Sequence, residues 1–263
     1  MNQGKKRRLK RILQKDNRTV IVPMDHGVSM GPIKGITNMQ NIIDHLLKGG
    51  VDAVVLNKGI AKRVNIDNAG LIVHLSAISN LTPNANNKVQ VCTVQEAIRI
   101  GADAVSVHIN VGAPEEDKML EKLGKVADKC DIHGMPLLAM MYPRGPKIKS
   151  EHDVDVVAHA TRIGAELGAD IIKTNYTGDI ESFRTVVEGC PVPVIIAGGP
   201  KCKTEQEILQ TAYESIKAGG SGLSIGRNVF QHKNPATMVK ALFAIVHKEV
   251  SVEHALKILG EAP

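Results

Sequence analysis

Apolar residues in this chain recur in two rhythms that take turns. Short apolar runs, rich in Val, Ile, Leu and Ala, fall at 19–25, 53–57, 71–75, 104–111, 136–142, 170–176, 192–197 and 222–225 and predict eight strands. Between them, apolar positions at three- and four-residue spacing predict helices over 38–48, 94–100, 115–130, 154–167, 181–187, 205–217, 235–247 and 252–259. A helical turn around Ala61 and an extended piece at 89–92 complete the pattern. Strand and helix alternate with no linker and no shift in composition, which predicts one (β/α)8 TIM barrel over 19–263. Gly50-Val51-Asp52, Gly101-Ala102-Asp103 and Gly168-Ala169-Asp170 recur where a helix hands over to a strand. An open doubly wound sheet is the alternative, but no Gly-x-Gly-x-x-Gly turn follows the first strand.

Residues 1–18 stand apart by charge. Leu9, Ile12 and Leu13 sit at helical spacing among basic residues, which predicts a short amphipathic helix closing the bottom of the barrel. The whole chain carries a formal charge of +6, and the excess is concentrated in this segment, where Asp16 is the only acid. A nucleic-acid groove spread over the fold is therefore not expected. Only 2% of the residues are aromatic against 43% hydrophobic, so the core must be filled by aliphatic side chains, as layered barrel packing allows. No apolar run spans a membrane and no signal-peptide pattern opens the chain. Cys92, Cys130, Cys190 and Cys202 are scattered, with no Cys-x-x-Cys pair, which predicts reduced thiols and a cytoplasmic location.

In a barrel of this kind chemistry gathers where the strands end. Those ends hold Asp25, Asn57, His74, His108, Tyr142, Lys173, the pair Gly198-Gly199 and the pair Gly226-Arg227. Lysine is rarely buried without a purpose. An inward Lys173 at the rim would be partly desolvated, and desolvation favours a free amine able to attack a carbonyl. A lysine that merely ends a strand and reaches water is the plainer reading, and the convergence of the other rim residues weighs against it. Glycines after the seventh and eighth strands let backbone N–H groups approach an anion, and Arg227 adds a planar fork for phosphate oxygens. Asp25 is the only carboxylate at a strand end, a candidate base; Tyr142, one of three tyrosines, is a candidate proton donor; Arg144 is a second candidate for a substrate anion. His26, His74 and His108 could instead form a three-histidine metal site, although no pair has a close ligand spacing.

These segments resemble the archaeal-type class I aldolases of the barrel superfamily that includes deoxyribose-phosphate aldolase. The matching stretches are Val22-Pro23-Met24-Asp25-His26-Gly27-Val28-Ser29, Ala139-Met140-Met141-Tyr142-Pro143-Arg144-Gly145, Ile172-Lys173-Thr174-Asn175-Tyr176-Thr177-Gly178-Asp179, Ala197-Gly198-Gly199-Pro200 and Gly226-Arg227-Asn228. The resemblance implies Lys173 as the Schiff-base lysine, Tyr142 as the proton donor and Asp25 as the general base. It also implies that Asp25, His26, Gly27, Val28, Ser29, Tyr142, Pro143, Arg144, Lys173, Gly198, Gly199, Gly226 and Arg227 contact a phosphorylated keto-sugar. No cofactor and no metal are implied, and a homo-oligomer is. The implied reaction is a transaldol transfer: an imine with 6-deoxy-5-ketofructose 1-phosphate, loss of hydroxypyruvaldehyde phosphate, and attack of the enamine on L-aspartate semialdehyde, on a route to 3-dehydroquinate and the aromatic amino acids. Fructose-1,6-bisphosphate aldolase is the alternative within the family. Pro23-Met24 before Asp25-His26-Gly27 favours the transaldolase, since the fructose-bisphosphate branch tends to carry an aromatic residue at that point.

Overall fold

The computed structural model describes residues 2–260. Eight parallel strands close into a barrel: β1 (Thr19–Pro23), β2 (Ala53–Asn57), β3 (Gly70–His74), β4 (Ala104–Val111), β5 (Leu137–Pro143), β6 (Ile171–Thr174), β7 (Val194–Ala197) and β8 (Gly222–Ser224), which returns to pair with β1. Side chains alternate across each strand. Ile21, Val55, Ile72, Leu138, Ile171 and Ile195 fill the inside. Their neighbours Val20, Val22, Val54, Val73, Ile172 and Ile196 pack outward against the helices. Each such fully buried side chain contributes about 1.5–3 kcal/mol, so most strand positions on both faces are apolar, as the runs in the sequence require.

Helix starts follow local chemistry. Thr93 accepts from the Glu96 N–H and Thr204 from the Glu207 N–H, each opening a helix with an acidic residue in its first turn. Asn38 and Asp179 cap helices Met39–Gly49 and Ile180–Glu188 by accepting from the Asn41 and Ser182 N–H groups. β1 stops at Pro23, short of Asp25, because the chain turns there into a brief helix, His26–Met30, that no periodicity predicts. β6 stops at Thr174, beyond which Asn175 donates its side-chain amide to the Glu151 carbonyl at 2.9 Å. Among the described residues no helix is long and apolar enough to cross a membrane, and all four cysteines are unpaired.

The recurring aspartates have a shared task. Asp52 precedes β2 and accepts from the Val20 N–H of β1 at 2.6 Å. Asp103 precedes β4 and accepts from Leu71 N–H of β3 at 3.0 Å. Asp170 precedes β6 and accepts from Leu137 N–H of β5 at 2.8 Å. Each carboxylate thus satisfies a backbone donor at the start of the preceding strand and fixes the stagger of the pair. The N-terminal segment then reaches all three: Lys5 to Asp170 at 3.1 Å, Arg11 to Asp103 at 2.6 Å and Gln14 to Asp52 at 2.7 Å. Ile12, fully buried, plugs the bottom of the barrel interior. β3 opens on Gly70 because this segment crosses it closely; a Cβ there would stand 2.5 Å from the Arg11 carbonyl oxygen.

Candidate active site

Lys173 follows Ile171 on β6 with one residue between, so it too faces inward, in register with Met140 of β5 and Ile195 of β7. It is 6% exposed, at the C-terminal rim of an aliphatic barrel. The same alternation on β5 turns Tyr142 inward beyond Met140. Its ring lies 5.0 Å from the His108 ring and 4.6 Å from the Arg144 guanidinium carbon. Arg144 in turn pairs with Glu151 at 2.8 Å.

Asp25 is held from β2, whose Asn57 amide donates to the Asp25 carbonyl at 2.9 Å. Its carboxylate oxygens lie 3.8 Å from His26 Nδ1 and 3.8 Å from His74 Nε2, outside hydrogen-bond range. Burial pushes this carboxyl up, but in the acid range where it titrates the protonated His74 and His26, with Lys173, outweigh burial and hold it below its ordinary value. Asp25 is therefore a carboxylate at neutral pH. Burial drives His74 down to about 4, against the opposing pull of Asp25, and burial with the nearby Lys88 and Arg144 drives His108 well below the usual imidazole range. Both rings are neutral at pH 7. His74 Nδ1 is hydrogen-bonded to Ser106 Oγ at 2.8 Å and His108 Nε2 to Asn110 Oδ1 at 2.9 Å. Among the described residues no three His, Cys, Asp or Glu side chains come together as a metal-ligand set; His74 and His108 have separate partners, whereas His26 Nδ1 is buried with none.

At the other side of the pocket Gly198 and Gly199 follow β7, and Gly226 and Arg227 follow β8. Arg227 Nη2 donates to the Gly199 carbonyl at 2.9 Å, and the Asn228 amide donates to the Gly198 and Pro200 carbonyls, each at 3.0 Å. These bonds lock the two loops together. A Cβ on Gly226 would stand 2.8 Å from His26 Cε1 and 2.9 Å from the Pro23 carbonyl oxygen, so only glycine fits. Arg227 Nε and Ser224 Oγ are buried with no partner among the described residues. Two buried donors without an acceptor beside glycine turns form a cradle for an oxyanion.

One cavity of about 240 Å³ gathers Asp25, His26, Ser29, Tyr142, Arg144, Lys173, Gly198, Gly199, Gly226 and Arg227. Three expected contacts do not reach it. Gly27 and Val28 lie on the far side of helix His26–Met30 and line a separate apolar cleft, because a helix cannot turn all its residues to one side. Pro143 sits buried in the β5 ladder, opposite Val111, and lines neither space. Sequence reasoning missed Asn80, Lys88, Asn175 and Ser224, all of which line the cavity. Asn175 and Ser224 could have been found by continuing the inward alternation past Lys173 and Gly222; Asn80 and Lys88 lie in a loop without periodicity.

The chain matches the DeoC/LacD family aldolase pattern over residues 19–232. It is 44% identical over 261 residues to 2-amino-3,7-dideoxy-D-threo-hept-6-ulosonate synthase 1 of Archaeoglobus fulgidus, covering 98% of this chain and 96% of the relative. It is 45% identical over 259 residues to the synthase of the same name from Halobacterium salinarum, covering 98% and 97%. Among solved structures it is similar to an archaeal fructose-1,6-bisphosphate aldolase whose catalytic lysine is covalently bound to the carbinolamine intermediate of its substrate, with a TM-score of 0.86, 33% identity, and coverage of 92% of this chain and 99% of that one. A buried lysine at the rim of a closed eight-stranded barrel and relatives matched along nearly the full length lead to the same assignment: the chain belongs to the DeoC/LacD aldolase family.

Proposed function

We propose that this chain is a Schiff-base-forming transaldolase that makes 2-amino-3,7-dideoxy-D-threo-hept-6-ulosonate from 6-deoxy-5-ketofructose 1-phosphate and L-aspartate semialdehyde, on the route to 3-dehydroquinate and the aromatic amino acids. The observation that carries the reading is the pocket itself: a buried amine, Lys173, shares one cavity with a carboxylate, a phenol and an oxyanion cradle.

In this reading the Lys173 amine adds to the C5 carbonyl and water leaves, with the Tyr142 phenol giving the departing hydroxyl its proton. Asp25 takes the C3 hydroxyl proton as the C3–C4 bond breaks. Its electron pair passes into the imine to give an enamine, and hydroxypyruvaldehyde phosphate departs. C4 of the enamine then attacks the semialdehyde carbonyl, and the new alkoxide recovers the proton held by Asp25. Water hydrolyses the imine, returning the water lost at the start, and the seven-carbon product leaves Lys173 free. Gly198, Gly199, Gly226 and Arg227 hold the phosphate. His26 and Ser29 border the sugar, and the neutral His74 holds its place beside Asp25 without competing for the proton. The reading includes a cytoplasmic homo-oligomer, which light scattering measures directly.

The test is borohydride reduction in the presence of the keto-sugar phosphate, peptide mass mapping, and a product assay with the semialdehyde. An adduct on Lys173 that is absent from Lys173→Met, together with the seven-carbon amino-keto product, is the expected result. An adduct with fructose bisphosphate and no seven-carbon product would replace this reading with the fructose-bisphosphate aldolase.

A further inference from the structure

Besides Lys173, Arg144 and Arg227, the pocket holds one more cation, Lys88, that the proposed lysine chemistry leaves unused. Lys88 lies in the connection between β3 and β4, immediately before a short strand, Val89–Gln90, and it lines the cavity wall. Two contacts place it there. Val89–Gln90 pairs antiparallel with Ser76–Ala77, just beyond β3, and the buried Lys122 amine donates to the Lys88 carbonyl at 2.6 Å. In the closed ring β3 and β4 stand across the barrel axis from β7 and β8. Lys88 therefore faces the Gly198, Gly199 and Arg227 cradle from the opposite wall, with Tyr142 on β5 and Lys173 on β6 between the two poles.

The charges around Lys88 come from five elements. Arg144, beyond β5, pairs with Glu151 and still repels the Lys88 ammonium. His74 on β3 and His108 on β4 are neutral. Lys122, from helix Glu116–His133, spends its hydrogen bonds on the Lys88 and His108 carbonyls. Asp25, after β1, is the one carboxylate that acts on Lys88. The Lys88 amine has no hydrogen-bond or ion-pair partner among the described residues. Burial first, then Arg144, bring it down to about 8 against the pull of Asp25. It is still mostly an ammonium at neutral pH, facing a pocket whose phosphate cradle is on the other side.

An acceptor aldehyde must meet the enamine carbon beside Lys173. L-aspartate semialdehyde carries its carboxylate three carbon–carbon bonds from that aldehyde, about 4 Å away, enough to bring it to a pocket wall. The geometry points to Lys88 as the residue that recognises the carboxylate of the amino-aldehyde substrate, at an anion subsite across the pocket from the phosphate cradle. This assignment rests on the transaldolase reading above.

The experiment compares wild type, Lys88→Ala and Lys88→Arg in steady-state assays of both substrates and in borohydride trapping. One charge-assisted hydrogen bond lost corresponds to a rise of about 10- to 100-fold in KM for the semialdehyde in Lys88→Ala. The KM for the keto-sugar phosphate and the yield of Lys173 adduct stay within about twofold, and Lys88→Arg recovers most of the loss. In wild type the semialdehyde KM climbs as pH rises through about 8, a climb that Lys88→Arg flattens because arginine keeps its charge. An unchanged semialdehyde KM, or equal shifts for both substrates, overturns the assignment while the transaldolase reading stands. A wild-type enzyme that traps the sugar but makes no seven-carbon product overturns both.

Discussion

Asp170 provides the most discriminating test of how the barrel is held at its bottom. It joins two functions in one carboxylate: it accepts from the buried Leu137 N–H at 2.8 Å and pairs with Lys5 at 3.1 Å. Burial pushes its carboxyl above the ordinary value in spite of Lys5, so the charge itself adds little to stability. Asp170→Ala strands the Leu137 donor, at about 1–3 kcal/mol, and leaves Lys5 with the largely exposed Asp131 as its remaining partner. The total expected is about 3–5 kcal/mol, the usual cost of breaking a buried pair. Asp170→Asn keeps the acceptor and the volume, and should cost about 1–2 kcal/mol. At about 2–4 °C per kcal/mol for a chain of this size, the alanine variant melts about 6–20 °C lower and the asparagine variant about 2–8 °C lower. Thermal melts followed by circular dichroism, with urea titrations alongside, measure the gap. Activity should hold in both folded variants, because Asp170 lies at the end of β6 remote from the rim. Equal losses for Ala and Asn, or a greater than threefold fall in kcat/KM for Asp170→Asn at a temperature where it is folded, would refute the reasoning.

Three further outcomes are expected. Tyr142→Phe should lower kcat by about 100-fold or more with the melting temperature nearly unchanged; a kcat within threefold of wild type removes Tyr142 from the proton-transfer role. Arg227→Met should raise the KM for the phosphorylated sugar by about 10- to 100-fold and move the semialdehyde KM far less, as initial-rate kinetics would show. His247 is bonded to Asp16 at 2.8 Å and to Asp52 at 2.9 Å; burial lowers its pKa, but the two carboxylates outweigh burial and raise it. The stability it supplies is therefore complete below its unfolded value of about 6.5 and is lost as pH rises through the higher folded value. Melting temperatures measured upward from pH 6.5 should fall in wild type more steeply than in His247→Gln, and parallel slopes would sink the argument.

The barrel was legible because each βα unit repeats the same apolar statement, and a misplaced boundary in one unit leaves the others intact. Lys173 and Tyr142 were legible for a related reason: alternation along a strand fixes which way a residue points. Helix His26–Met30 was not, since a single turn containing Gly27 and Ser29 has neither the propensity nor the length to show a period. The resemblance set Gly27 and Val28 among the sugar contacts, and that turn points them to a separate cleft. Lys88 was invisible for a different reason. It reaches the cavity through the pairing of two dipeptide strands and a bond from Lys122, 34 positions away, contacts that no local pattern encodes. The Gly-x-Asp repeats were seen as punctuation, whereas their clip across to the preceding strand is a relation between units.

The polar seal under the barrel also orders events in time. Lys5, Arg11 and Gln14 meet carboxylates at 170, 103 and 52, while Asp16 and Arg18 meet His247 and Glu249. Residues 5–18 leave the ribosome before any of the later partners is made, and Glu249 follows all the others. This segment thus completes its docking late, and a chain truncated before residue 247 lacks the contacts that His247 and Glu249 make with Asp16 and Arg18. Closure of that seal reports that the polypeptide is long enough to form the whole barrel.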